Sequence, residues 1–399
     1  MNQKRKKILV LTHNFPRERE DSPGLYIFTL MRELIGDFDI FVLAPHQKGF
    51  PTYEEMDGIK IYRFRYNLAS FETLAYKGNM HEQIFRSTRG KISFLFFLLS
   101  YFFYGLWIIK KNRINLVHCH WWVPGGMIGY LLSLFVPLRM VITTHGSDVF
   151  ILRQFKWALP VAKLIFKRAQ FITAVSTSLK QLISKDLGID ENRIYAFPMP
   201  FDASRFYQLR ERKVKKGTIL SVGRLIQRKG YDYLLKASQI LKNEGVPFEL
   251  TIIGSGPEEE KLKRLIAELN LEKHVTIVNW IPQKELNSYY NRSEIFILPS
   301  ITDWKKESEG LGLVLLEAMA CKVPVVATKS GGMVDIVLHE KTGLLVPEKD
   351  AFALASAIKR FLEDENLEKK LAWEGYRFVH ENFTLQATAR KLKAIYQKL

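Results

Sequence analysis

Glu309 and Glu317 stand eight residues apart in EGLGLVLLEAMA, with only glycines and aliphatic residues between them. A buried carboxylate without a partner is strongly disfavoured, so Glu317 requires a hydrogen-bonding partner or a ligand. The polar loop ITDWKKESEG carries Glu309 just ahead of an apolar stretch, LGLVLLEAMA, that reads as a buried helix. Gly310 and Gly312 free the backbone there for close approach to a ligand. Glu317 falls roughly one and a half turns into that helix, about 7 Å along its axis. Two acids so spaced could grip two ends of one polyhydroxylated ligand, because carboxylates accept hydrogen bonds from sugar hydroxyls. The plainer alternative has Glu309 capping the helix and Glu317 paired with a buried Arg or Lys.

A second group is cationic. SVGRLIQRKG, residues 221–230, follows a strand-like run and opens a helix. Gly223 permits a tight turn, and Arg224 and Lys229 then stand near a helix N-terminus, which already favours anions. Together they form a diphosphate site, unless the stretch is simply a solvated basic turn. Hydroxyl-binding acids on either side of a diphosphate site fit a sugar nucleotide: hexose, diphosphate, ribose.

These residues need elements to hold them. The first half alternates strand candidates (KILVLT, DIFVLA, IKIYRF, INLVHC, MVITTH, FITAVS, RIYAFP) with helical stretches such as GLYIFTLMREL. The second half restarts the pattern with TILSV, FELTIIG, VTIVN, EIFILPS, VPVVAT and TGLLVP. Alternation of this kind predicts parallel, doubly wound α/β sheets. A turn-rich and charged segment, 198–216, separates the two series. The expectation is a first domain over 1–200 and a second over 201–383, with a cleft between them and a final helix over 384–399. Ligands in such sheets bind outside the carboxyl ends of the strands.

Charge and composition narrow the partners. The formal net charge is +18, about +12 in residues 1–200 and about +6 in 201–399, which favours anionic partners. No helix-turn-helix, zinc or RNA-binding signature appears, so specific nucleic-acid binding is not expected. Cys119 and Cys321 are the only cysteines, and with no secretory signal they suggest a reducing compartment. His118 and His120 are expected on opposite faces of a strand as structural histidines, and no cluster has metal-ligand spacing. Residues 92–109, ISFLFFLLSYFFYGLWII, are uncharged and flanked by Lys91, Lys110, Lys111 and Arg113, at the threshold length for a spanning helix. Because they run straight into the strand INLVHC, the reading is a helix packed on the sheet, with an aromatic face either on lipid or buried.

The second half resembles the retaining glycosyltransferases of family 4, which have the GT-B fold. The matching stretches are SVGRLIQRKG, IIGSGPEEEKLKRL, EGLGLVLLEAMACKVPVVAT, SGGMVDIV and TGLLVP. The first half agrees more loosely through LVHCHWWVPGG, THGSDV and AVSTSLKQLI. The resemblance implies two Rossmann-like domains facing a central cleft, the first binding the acceptor and the second the nucleotide-sugar donor. It also implies that the final helix crosses back to the first domain. Arg224 and Lys229 would bind the donor diphosphate and Glu317 the ribose. Glu309 would face the donor sugar beside the amides of Leu311 and Gly312, and His145 would lie at the reaction centre. Asp148 would orient the His145 loop. Gly24, in SPGLY, stands where the family often has paired glycines near the phosphates, and PMPFD stands where its linker often reads PNGVD. The base would be met by backbone near Trp280 and Ile281. The implied reaction is transfer of a hexose, with retained configuration and no metal or other cofactor, to a glycan or lipid-linked acceptor in polysaccharide or glycolipid assembly. The cysteines and the 92–109 helix with its basic flanks set the expected location as cytoplasmic, peripheral on the inner membrane face. Another GT-B enzyme such as a nucleotide-sugar epimerase, and a non-catalytic sugar-nucleotide-binding protein, remain alternatives.

Overall fold

The computed structural model describes residues 5–399 except 20, 22, 77–79, 81, 82, 85, 86, 212, 213 and 280, and the side chain of 283. The chain divides into two compact units. One comprises Met1–Val175, Leu179–Phe197 and Thr388–Leu399, and the other Ser176–Ser178 and Pro198–Ala387.

Unit 1 is built on strands β1 (Lys6–Leu11), β2 (Phe38–Pro45), β3 (Tyr53–Met56), β4 (Ile59–Phe64), β5 (Leu116–His120), β6 (Arg139–Thr144), β7 (Phe171–Ala174) and β8 (Ile194–Ala196). Their order in the sheet is β3-β4-β2-β1-β5-β6-β7-β8, parallel throughout except for the β3–β4 hairpin at one edge. Helices cover the sheet, so its central strands are apolar on both faces, as Ile8, Leu9, Val10 and Leu11 illustrate. Chain order reverses between β1 and β5, which makes their carboxyl ends a switch point where loops diverge.

The helices of unit 1 are α1 (Leu25–Arg32), α2 (Thr88–Asn112), α3 (Met127–Phe135), α4 (Ser147–Gln154), α5 (Leu159–Arg168) and α6 (Thr177–Leu187). Helix α2 contains the long apolar run. Ser87 caps its start by accepting from the Gly90 amide. Ser93, Phe97, Tyr101, Gly105 and Ile109, spaced by four, are its buried stripe. Phe97 and Tyr101 pack their rings on Phe64 at 4.9 and 4.5 Å. The opposite face is apolar too but exposed: Ile92, Leu95, Phe96, Leu99, Phe103 and Trp107. Helix α2 is long and apolar enough to cross a membrane by length and composition, with 33% of its apolar window buried on the protein.

Unit 2 contains β9 (Thr218–Val222), β10 (Glu249–Ile253), β11 (Val275–Val278), β12 (Ile295–Leu298), β13 (Val325–Thr328) and β14 (Leu344–Val346), all parallel, in the order β11-β10-β9-β12-β13-β14. Its switch point lies between β9 and β12. The crossing helices are α7 (Tyr231–Asn243), α8 (Glu259–Glu268), α9 (Gln283–Arg292), α10 (Leu313–Ala320), α11 (Ala351–Glu363) and α12 (Glu365–Asn382). A last helix, α13 (Leu385–Gln397), carries Leu392, Ile395 and Tyr396 into the core of unit 1 beside Ile8, Val10 and Ile40. Tyr396 reaches His118 Nδ1 at 2.5 Å, and Lys393 pairs with Asp37 at 2.6 Å.

One expectation fails here. The His118 and His120 rings lie on the same face, with centroids 4.4 Å apart. Strand side chains alternate with period two, so residues two apart share a face.

Candidate active site

In unit 2 the switch point gathers the cationic and acidic groups. β9 ends at Val222, and the turn that follows carries Arg224 and Lys229 before α7. β12 ends at Leu298, and its loop carries Ser300 and Glu309 before α10. The two loops meet where Lys229 donates to Glu309 Oε2 at 2.7 Å, with the Ser300 hydroxyl 3.2 Å from the same oxygen. Burial works to raise the Glu309 carboxyl, but Lys229, Arg228 and Ser300 outweigh it and hold it below its ordinary value. Arg228 is itself tied to Glu307 at 2.7 Å. Arg224 is exposed, and among the described residues its guanidinium has no ion-pair or hydrogen-bond partner.

Glu309 lies in the loop before α10 and is not that helix's cap. Gly312 occupies the N-cap in left-handed conformation (φ +92°), and no side chain among the described residues caps the helix. The amides at its start therefore lack a side-chain acceptor. Leu311 beside it is buried. The Glu309 backbone is gripped from behind by the Gly332 amide, which donates to the Glu309 carbonyl at 2.9 Å. A Cβ on Gly331 (φ +53°) would sit 1.9 Å from that carbonyl oxygen, so only glycine allows this approach.

Glu317 lies in the second turn of α10 and is buried. Its partner is the Tyr290 hydroxyl of α9, which donates to Oε2 at 2.7 Å, in place of the Arg or Lys that the plainer alternative required. Burial raises the carboxyl to about 7, with the Tyr290 bond opposing. Ile281 is half-buried after β11, the edge strand, with β10 between it and β9. Trp280 lies outside the described residues.

In unit 1, His145 follows β6. Its Nε2 meets His120 Nδ1 at 3.0 Å, and its ring lies 4.2 Å from Trp121 and 5.5 Å from Tyr26. Burial, reinforced by His118 and His13, lowers the His145 imidazole to about 3, so it is neutral at pH 7. Asp148, in the first turn of α4, accepts from the amides of His145 (3.0 Å), Gly146 (3.1 Å) and Trp122 (3.1 Å). Its carboxylate thus pins the turn before α4 to the segment after β5, while burial lifts it to about 6. Gly24, in left-handed conformation (φ +72°), starts α1 where a Cβ would strike the Asn14 carbonyl at 2.2 Å. Trp121, Tyr26, Asp148 and Gly24, though not His145, border a cavity of about 680 Å³ whose walls also include His13 and Asn14.

Sequence reasoning missed Tyr290 and Ser300, and read His120, which meets His145, only as a structural histidine. Tyr290 sits 27 residues before its partner on another helix, and no local spacing announces it. Ser300 had a signal, its place directly after the strand run in IFILPS.

Comparison with known proteins agrees with this architecture. Residues 206–378 match the family model for glycosyl transferases group 1, and residues 24–205 match that for glycosyltransferase family 4. The amylovoran biosynthesis glycosyltransferase AmsK of Erwinia amylovora is 31% identical over 295 residues, 73% of this chain and 72% of that one. The GDP-mannose-dependent alpha-(1-6)-phosphatidylinositol monomannoside mannosyltransferase of Mycolicibacterium smegmatis is 28% identical over 400 residues, 96% of this chain and 97% of that one. Among solved structures, sucrose-phosphate synthase from Thermosynechococcus elongatus superposes with a TM-score of 0.78 over 99% of each chain at 23% identity, a likeness of fold. Two parallel α/β units with charged loops at the second switch point, matched along nearly their whole length, make this chain a member of the family 4 glycosyltransferases with the GT-B fold.

Proposed function

We propose that the chain transfers a hexose, with retained anomeric configuration, from a nucleoside-diphosphate sugar to a glycan or lipid-linked acceptor, in assembly of a polysaccharide or glycolipid. The observation that carries this reading is the β9–β12 switch point, where the Lys229–Glu309 pair stands and where, among the described residues, the Arg224 guanidinium has no partner. As the glycosidic bond breaks, negative charge builds on the departing diphosphate. Arg224, Lys229 and the uncapped amides at the start of α10 stabilise it without rearranging, which is preorganised electrostatic catalysis. Glu317 accepts from the ribose hydroxyls, oriented by Tyr290. Glu309 faces the donor sugar, near the amides of Leu311 and Gly312. His145 meets a sugar hydroxyl as a neutral imidazole, and Asp148 acts by holding its loop. Gly24 lets the loop after β1 lie close to the ligand, and Ile281 borders the base through its backbone. The reaction as read needs no metal, so activity should persist in excess chelator.

A peripheral membrane location is part of this reading. The exposed apolar face of α2 is flanked by Lys91, Lys110, Lys111 and Arg113, the charge pattern that suits an anionic lipid surface. The names of the two relatives, one in amylovoran biosynthesis and one acting on a phosphatidylinositol mannoside, support a surface-glycan acceptor class. The deciding experiment is a thermal-shift panel of UDP-, GDP- and ADP-sugars on wild type and Glu317→Ala. Stabilisation by one nucleotide class, weakened in the variant, is expected. No shift with any of them at millimolar concentration would overturn the donor reading.

A further inference from the structure

The cavity of unit 1 is mostly hydrocarbon. Beyond the polar groups at the strand ends, its walls include Leu74, Ile84, Phe94, Ile151, Phe155 and Trp157. A free oligosaccharide would lose hydration against such walls and find few partners in return. Aromatic rings can stack on sugars, but the aliphatic side chains of Leu74, Ile84 and Ile151 offer a sugar nothing. His13 and Asn14 line the cavity and are only partly buried, so their side chains are polar groups that a ligand can reach. The wall residues continue onto the outer apolar surface. Trp157 is 73% exposed while lining the cavity, and α5 just beyond it exposes Val161 and Leu164. Phe94 lines the cavity from α2, whose adjoining Leu95 and Phe96 are exposed. The volume of about 680 Å³ lies within the range of pockets that bury most of a drug-sized ligand.

We propose that this cavity seats an amphipathic acceptor, a sugar carried on a hydrocarbon chain. The hydroxyls of the sugar meet His13 and Asn14, and the chain runs along Ile151, Phe94 and Trp157 toward the exposed apolar face. This rests on the transferase reading and specifies its acceptor as lipid-linked. A bilayer would then deliver the acceptor sideways into unit 1, with no need to lift the chain through water.

The test uses the full chain and alkyl β-glucosides with methyl, hexyl, octyl and decyl tails, below their micelle concentrations. Binding is read by tryptophan fluorescence, since Trp121, Trp122 and Trp157 line the cavity. Affinity is expected to rise roughly three- to fourfold per methylene, with no saturable response to the methyl glucoside. Ile151→Trp, which fills the cavity, should abolish the chain-length gain. Ile151→Asn, which adds no bulk, should reduce it, and this guards against misfolding of the larger variant. Phe103→Asp, on the outer face, should leave the gain intact. Affinity independent of chain length would overturn the proposal. So would a gain that survives both Ile151 substitutions, or one lost in Phe103→Asp, which would put the alkyl chain on the outer surface. Nucleotide-sugar thermal shifts on the same samples separate the two readings. A nucleotide shift without chain-length dependence sinks only the lipid acceptor, whereas neither response sinks the transferase reading as well.

Discussion

Burial lifts the Glu317 carboxyl from an ordinary 4.5 to about 7, and this has two measurable consequences. The first concerns stability. Below pH 4.5 the group is neutral whether the chain is folded or not. As pH rises from 4.5 to 7 the unfolded chain ionises first, so folding stability falls, by on the order of 3 kcal/mol in all. Glu317→Gln removes this loss and keeps an acceptor for Tyr290. In urea denaturation the variant should gain on wild type between pH 5 and pH 8, and parallel curves would refute the shifted pKa. Asp148 titrates in the same direction, but it is common to both proteins and cancels. The second consequence concerns binding. Ribose hydroxyls need the ionised form, so affinity for the preferred nucleotide sugar should weaken up to about tenfold per pH unit below 7 in wild type. In Glu317→Gln affinity should be weak and flat, as calorimetry at pH 6, 7 and 8 would reveal. The two cations divide in another way. Arg224→Ala removes an exposed guanidinium that has no partner among the described residues and should cut kcat by a hundredfold or more at unchanged Tm. Lys229→Ala strands Glu309 and should lower both kcat and stability, the latter by about 3 kcal/mol. Equal losses of Tm in the two variants would contradict this division.

Individual elements carry the site by small steric margins. Gly331 stands against the Glu309 carbonyl, so Gly331→Ala must displace the loop that aims the carboxylate at Lys229. The expected result is loss of nucleotide-sugar binding together with a lower Tm, by thermal shift with and without ligand; retained binding would show that the Glu309 loop has room to give. Much at this scale was legible beforehand. Apolar runs of four to six residues marked the strands, and the fixed order of strand, turn and helix marked SVGRLIQRKG as a strand-end loop opening a helix and EGLGLVLLEAMA as the passage from such a loop into a buried helix. The start of α10 at Leu313, two residues inside the expected helix, follows from the left-handed Gly312. The hydrogen bonds between elements were not legible. Tyr290 to Glu317, His120 to His145 and Asp148 to Trp122 each join segments 25 to 27 residues apart, at a geometry that only the packed sheets define. The unit 1 cavity likewise draws its walls from five or more separate stretches of chain.

At the scale of the whole molecule, the excess positive charge of residues 1–200 accompanies the exposed apolar face of α2. Co-sedimentation with vesicles rich in anionic phospholipid should be strong at low salt and fall steeply as salt rises. Phe103→Asp with Leu95→Asp should abolish it, and binding unaffected by the double substitution would assign the contact elsewhere. The path of the chain has a consequence of its own. Residues 388–399 complete the core of unit 1, yet a ribosome makes them after all of unit 2. The unit begun first is therefore finished last. Until Leu392, Ile395 and Tyr396 emerge, the nascent chain holds an open apolar groove over β1 and β2, with the buried His118 lacking its tyrosine partner. Any chain cut short by a late stop codon would keep that groove open for good, so proteases that survey new proteins have a ready mark of incomplete synthesis.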